Sequence, residues 1–71
     1  MNGRNIRVLR EERGMTLNQL ATLSGVSKSY ISYIERGMQK NPSIAVLEKL
    51  SIALGIEFMK LIESVNEVSK K

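Results

Sequence analysis

Two segments of helical period, Leu17 to Ser24 and Lys28 to Arg36, are separated only by Gly25-Val26-Ser27. No other feature restricts the fold so strongly. A connection this short must reverse a helix abruptly, and Gly25 supplies the left-handed backbone conformation that other residues resist. Thr16 and Gln19 form a capping-box pair at the start of the first segment. Ser27 supplies an N-cap oxygen to the second. Ala21 is small where the second helix is expected to cross, and Val26, Ile31 and Ile34 fill the angle between the two.

The rest of the chain repeats this punctuation. Gly14, Gly37 and Gly55 each close an apolar-periodic segment, Gly3 lies at the start, and the only proline, Pro42, precedes the cap residue Ser43. No run alternates as a strand would. The spacing predicts five helices, at about 3–13, 17–24, 28–36, 43–54 and 57–67, in one all-α domain spanning residues 1–71. The pair at 17–36, two helices with a glycine in a tight turn, has the arrangement of a helix-turn-helix.

Composition removes several chemistries. The chain lacks Cys, His and Asp, so a zinc site, a disulfide framework, a cysteine nucleophile and a His-dependent triad cannot be built from it. The expectation is no enzyme, no cofactor and no metal. The longest apolar run, Ile44-Ala45-Val46-Leu47, is far too short for a bilayer, and Met1-Asn2-Gly3-Arg4 lacks the apolar core of a signal peptide. These features predict a cytoplasmic protein with no membrane partner. Eleven Lys and Arg against seven Glu give a net charge of +4, a footprint that suits a polyanion.

Helical projection divides the 28–36 helix. Ile31, Ile34 and Glu35 fall on one side; Ser29, Ser32, Tyr33 and Arg36 fall on the other, with Lys28 at the N-terminal edge. The outward set carries hydrogen-bond donors and no carboxylate, as expected of a helix that reads base edges and phosphates. Glu35 instead faces the core, and so do Arg10 and Arg13 on the first helix. Because an unpaired buried charge is costly, Arg10 and Glu35 are expected to form an ion pair.

The residues Ile6-Arg7-Val8-Leu9-Arg10, Gly14, Thr16 to Ala21, Gly25 to Gly37, Asn41-Pro42-Ser43-Ile44 and Leu47 to Gly55 resemble the phage-repressor-like helix-turn-helix family of the XRE, or Cro/C1, type. Lys28-Ser29-Tyr30 to Ile34-Glu35-Arg36, with Asn41-Pro42-Ser43-Ile44, is similar to the DNA-binding half of SinR-type regulators. The resemblance implies a five-helix lambda-repressor-like domain that binds double-stranded DNA at a palindromic operator as a homodimer, with the third helix in the major groove. It places base reading on Lys28, Ser29 and Tyr33, with Ser32 and Arg36 nearby. It also implies the Arg10–Glu35 pair. Phosphate contacts are expected from Thr16, Asn18, Tyr30, Met38 through its amide, Gln39, Lys40 and Asn41. Many relatives carry Gln where this chain has Leu17, so a side-chain phosphate clamp is absent there.

Apolar stripes end the chain. Ile44, Leu47, Leu50 and Leu54 are expected to be buried, with Ala45, Lys49 and Ile52 outward. Phe58, Leu61, Ile62, Val65 and Val68 line one side of the fifth helix, a long stripe for so small a core. Core packing is expected to take Ile56, Phe58 and Leu61. Ile52, Met59, Ile62 and Val65 are the candidate dimer contacts, within 52–68. The leading function is a sequence-specific transcriptional repressor. A restriction-modification controller, an antitoxin, and a protein-interaction module on the same fold remain as alternatives. No sensor domain is expected after the fifth helix, so a signal is expected through an antagonist protein, proteolysis or concentration.

Overall fold

The computed structural model describes residues 2–39 and 41–66. Five helices follow one another, α1 (Arg4–Glu12), α2 (Leu17–Ser24), α3 (Lys28–Glu35), α4 (Ile44–Leu54) and α5 (Phe58–Val65), with no strand among the described residues. α2 packs on α3 and α4, α4 packs on α5, and α1 closes the bundle against α3 and α5. The expected ends of α5 beyond residue 66, and Val68 with them, lie outside the described residues.

Side chains and glycines set the helix limits. The Thr16 hydroxyl accepts the Gln19 amide at 3.1 Å while the Gln19 side chain accepts the Thr16 amide at 2.8 Å, completing the capping box of α2. Ser27 and Ser43 cap α3 and α4 by accepting the amides of Tyr30 and Val46. Gly25, at φ 77°, ends α2 in the left-handed conformation and permits the sharp reversal into α3.

The core consists of Ile6, Leu20, Val26, Ile31, Ile34, Leu47, Leu50, Leu54, Leu61 and Val65. Two sequence expectations need correction. Ile44 is 65% exposed rather than buried, because it opens α4 one turn before that helix reaches the core. Ser51 takes the buried position instead, its hydroxyl donating to the Glu48 carbonyl at 2.7 Å and so staying satisfied. Val65, expected at an outward dimer contact, is only 1% exposed. It is covered because the N-terminal segment folds back over the end of α5. There the Asn2 amide donates to the Val65 carbonyl and the Asn5 side-chain amide to that of Ser64, both at 2.6 Å. Those bonds occupy carbonyls that a helix end leaves without partners.

Gly3 has a role that its position near the start of the chain does not suggest. It is buried, with an ordinary helical φ of −68°, so its backbone conformation demands no glycine. Space does. A Cβ there would lie 1.9 Å from the Ile34 carbonyl oxygen, and backbone cannot move aside as a flexible side chain can. The missing side chain lets α1 start directly against the end of α3. Gly3→Ala is expected to cost about 1–3 kcal/mol as overpacking, read as a lower denaturant midpoint in chemical unfolding. An unchanged midpoint would show that the approach is not this close.

Candidate nucleic-acid interface

Arg10 joins three parts of the fold. Its Nε and Nη2 donate to the two Glu35 carboxylate oxygens at 2.8 and 3.0 Å, a bidentate pair between α1 and α3. Its Nη1 donates to the Met15 carbonyl at 2.9 Å, in the loop that leads into α2. The two side chains are 11% and 6% exposed, so this is a buried, fully partnered ion pair. The Glu35 hydrogen bond, opposed by burial, raises the Arg10 pKa above its ordinary value. A raised folded-state pKa means that the stabilisation is complete below arginine's ordinary range, hence at every physiological pH. Arg13, expected to share Arg10's inward face, acts differently. Its Nε donates to the Leu54 carbonyl at the end of α4, and its Nη1 to that of Leu9. A cation at a helix C-terminus complements the dipole, a link between distant elements that helical projection could not supply.

With α3 held from behind, its outward residues share one concavity. Lys28, Ser29, Ser32, Tyr33 and Arg36 line a hollow of about 310 Å³ together with Leu17 of α2. Lys28, Ser29 and Arg36 are exposed, Tyr33 is 47% exposed, and Ser32 is half-buried. The Arg36 guanidinium carbon lies 5.6 Å from the Tyr33 ring centroid, a cation–π arrangement that restrains both side chains. The wall carries hydroxyls, an ammonium, a guanidinium and a phenol, a set able to meet both base acceptors and phosphate oxygens.

The described residues expected at phosphates lie at the start of α2, on α3 and in the loop after α3. Thr16 and Asn18 are exposed at the start of α2. The capping box uses the amides of Thr16 and Gln19, which leaves those of Leu17 and Asn18 in the first turn, where intrahelical acceptors are absent. Tyr30 is half-buried against the core. In the loop after α3, Gly37 adopts φ 77° and the amides of Met38 and Gln39 donate to the Tyr33 carbonyl at 2.8 and 3.2 Å. Met38 therefore cannot offer its amide to a phosphate, as the sequence reading expected. That amide closes the C-terminus of α3, leaving an exposed apolar side chain. Gln39 is half-buried and Asn41 exposed, while Lys40 lies outside the described residues.

Away from this surface, Ile52 is 80% and Met59 63% exposed, and Ile62 is half-buried against the core. Among the described residues no three His, Cys, Asp or Glu side chains gather as a metal site, and no helix is long and apolar enough to cross a membrane.

Comparison with known proteins agrees with this architecture. The sequence model of the Helix-turn-helix family matches residues 6–61. The transcriptional regulator SlrR of Bacillus subtilis (strain 168) is 46% identical over 71 residues, covering 100% of this chain and 47% of SlrR. The crystal structure of SinR, a master regulator of biofilm formation, in complex with DNA superposes with a TM-score of 0.82 at 47% identity, over 87% of this chain and 98% of that one. The restriction-modification controller C.AhdI from Aeromonas hydrophila superposes with a TM-score of 0.78 at 41% identity, over 83% and 88%. The chain spans between 47% and 60% of the full length of SlrR, SinR and the repressor RghR of B. subtilis.

The buried pair yields a paired prediction. Arg10→Ala is expected to cost about 3–5 kcal/mol in thermal or chemical unfolding, because it strands the Glu35 carboxylate in the core. Replacing both partners together, Arg10→Met with Glu35→Leu, should recover most of that loss. A single variant no worse than a surface substitution would contradict the assignment.

Proposed function

The chain belongs to the helix-turn-helix family of the XRE, Cro/C1 type, and we propose that it is a sequence-specific, double-stranded-DNA-binding transcriptional regulator acting as a repressor. The observation that carries this reading is the shared hollow: four residues of α3 and its C-cap Arg36, all able to read bases or phosphates, set beside the N-terminus of α2. An α-helix fits the major groove, where each base pair presents its own donors, acceptors and methyl groups.

In this reading α3 enters the groove by its N-terminal end. Lys28 donates to guanine N7 and O6, Ser29 reads a donor or an acceptor, and Tyr33 with Arg36 and Ser32 extends the contact. Thr16, Asn18 and the first-turn amides of α2 hold one stretch of backbone. The side chains of Tyr30, Gln39, Lys40 and Asn41 hold another. A homodimer through Ile52 and Met59, with Ile62 at the edge, presents two copies of α3 to an inverted repeat whose half-sites lie about 10 bp apart. Supporting it, Ile52 and Met59 are large apolar side chains left in solvent on the α4–α5 side. An antagonist protein is a route by which such a dimer could be switched off. The likeness to C.AhdI favours a second reading, a restriction-modification controller, which the genes flanking this one would distinguish.

Selection from random duplex DNA at near-physiological salt tests the proposal. It should recover an inverted repeat, and affinity should fall steeply as salt rises and counterions compete for the phosphates. Lys28→Ala should weaken operator binding by about 1–3 kcal/mol, and Tyr33→Ala should alter the recovered sequence. Recovery of no motif, or wild-type affinity in Lys28→Ala, would contradict it. Ile52→Glu should shift sedimentation toward monomer and abolish cooperative filling of the two half-sites. A variant that still dimerises would remove this face as the contact.

A further inference from the structure

Leu17 is the odd member of the hollow on α3. It is the first residue of α2, half-buried, with part of its side chain packed on the core and part lining the same wall as Lys28, Ser29, Ser32, Tyr33 and Arg36. Every other lining residue brings a hydrogen-bonding group. Leu17 brings only carbon, and at this position it cannot clamp a phosphate with its side chain. A docked duplex would strip water from it, and a favourable partner must then be apolar. The major groove offers one apolar group, the 5-methyl of thymine.

We propose that Leu17 is a specificity residue that packs against a thymine methyl group, forming with Tyr33 an apolar notch in an otherwise polar reading surface. This rests on the DNA-binding reading above and adds a base preference made by α2 rather than by α3. The neighbouring amides of Leu17 and Asn18 would hold the adjacent phosphate. One residue position would thus both fix the backbone through its main chain and read the base through its side chain.

Deoxyuridine differs from thymidine by that methyl alone. The operator recovered by selection is resynthesised with deoxyuridine at each thymine in turn, and affinities are measured for the wild type, Leu17→Ala and Leu17→Gln. At one thymine per half-site the wild type should bind about fourfold more weakly without the methyl, the value of one buried carbon group. Both variants should bind the two duplexes equally there. Leu17→Gln keeps the side-chain volume, so its thermal unfolding and its affinity for the deoxyuridine duplex separate lost reading from lost folding. Wild-type affinity indifferent to every methyl would overturn the inference, as would an undiminished fourfold loss in Leu17→Gln. Either result leaves sequence-specific binding itself intact. If no operator is recovered at all, the DNA-binding reading fails first and this one with it.

Discussion

The buried guanidinium of Arg10 is the interaction on which the recognition geometry depends. Two of its nitrogens grip Glu35 near the end of α3 and a third holds the Met15 carbonyl just before α2. One side chain therefore fixes both helices of the turn relative to α1. The planar fork has the fixed geometry this requires; a lysine ammonium could not meet the same acceptors in one orientation. Among the described residues no buried side-chain nitrogen or oxygen lacks a partner, so the polar hub is fully satisfied. A half-satisfied network in so small a core would be worse than an apolar one.

That arrangement sorts α3 into a held side and a free side. Ile31 and Ile34 are sealed in the core, Glu35 is gripped by Arg10, and Gly3 lets α1 begin against the Ile34 carbonyl. The amides of Met38 and Gln39 then close its far end on the Tyr33 carbonyl. What remains open to solvent is the face proposed to read bases, with Ser32 half-buried and the Arg36 guanidinium over the Tyr33 ring. A short helix fixed along its back and at its end presents its side chains with little freedom to lose on binding, which favours affinity as well as discrimination.

Much of this was legible in the sequence because its causes are local. The capping box needs only Thr16 and Gln19, and the turn needs only Gly25. The face assignment of α3 follows from a 100° step per residue, and it also set Arg10 and Glu35 toward the core, where two opposite charges must meet. What escaped was decided by distant chain. Gly3 is required by Ile34, and nothing near Gly3 announces that. Val65 lies on a stripe that reads equally well as core or as interface, and the returning segment at Asn2 and Asn5 decides for core. Ile44 keeps the helical period of α4 but falls one turn short of the packed region. Arg13 shares Arg10's face yet reaches the end of α4 instead. The fate of the Met38 amide followed from the closure after Gly37, a turn whose hydrogen bonds the sequence does not display.

In the proposed function, the outward face of α3 and the first turn of α2 form one DNA-contacting surface, separate from the apolar α4–α5 side. Amide chemical-shift mapping during titration with an operator duplex tests it most directly. The largest changes are expected at Leu17, Asn18 and the outward residues of α3, with little change in the core-facing Ile31 and Leu50. Changes concentrated at Ile52 and Met59, with α3 and the start of α2 unmoved, would contradict it.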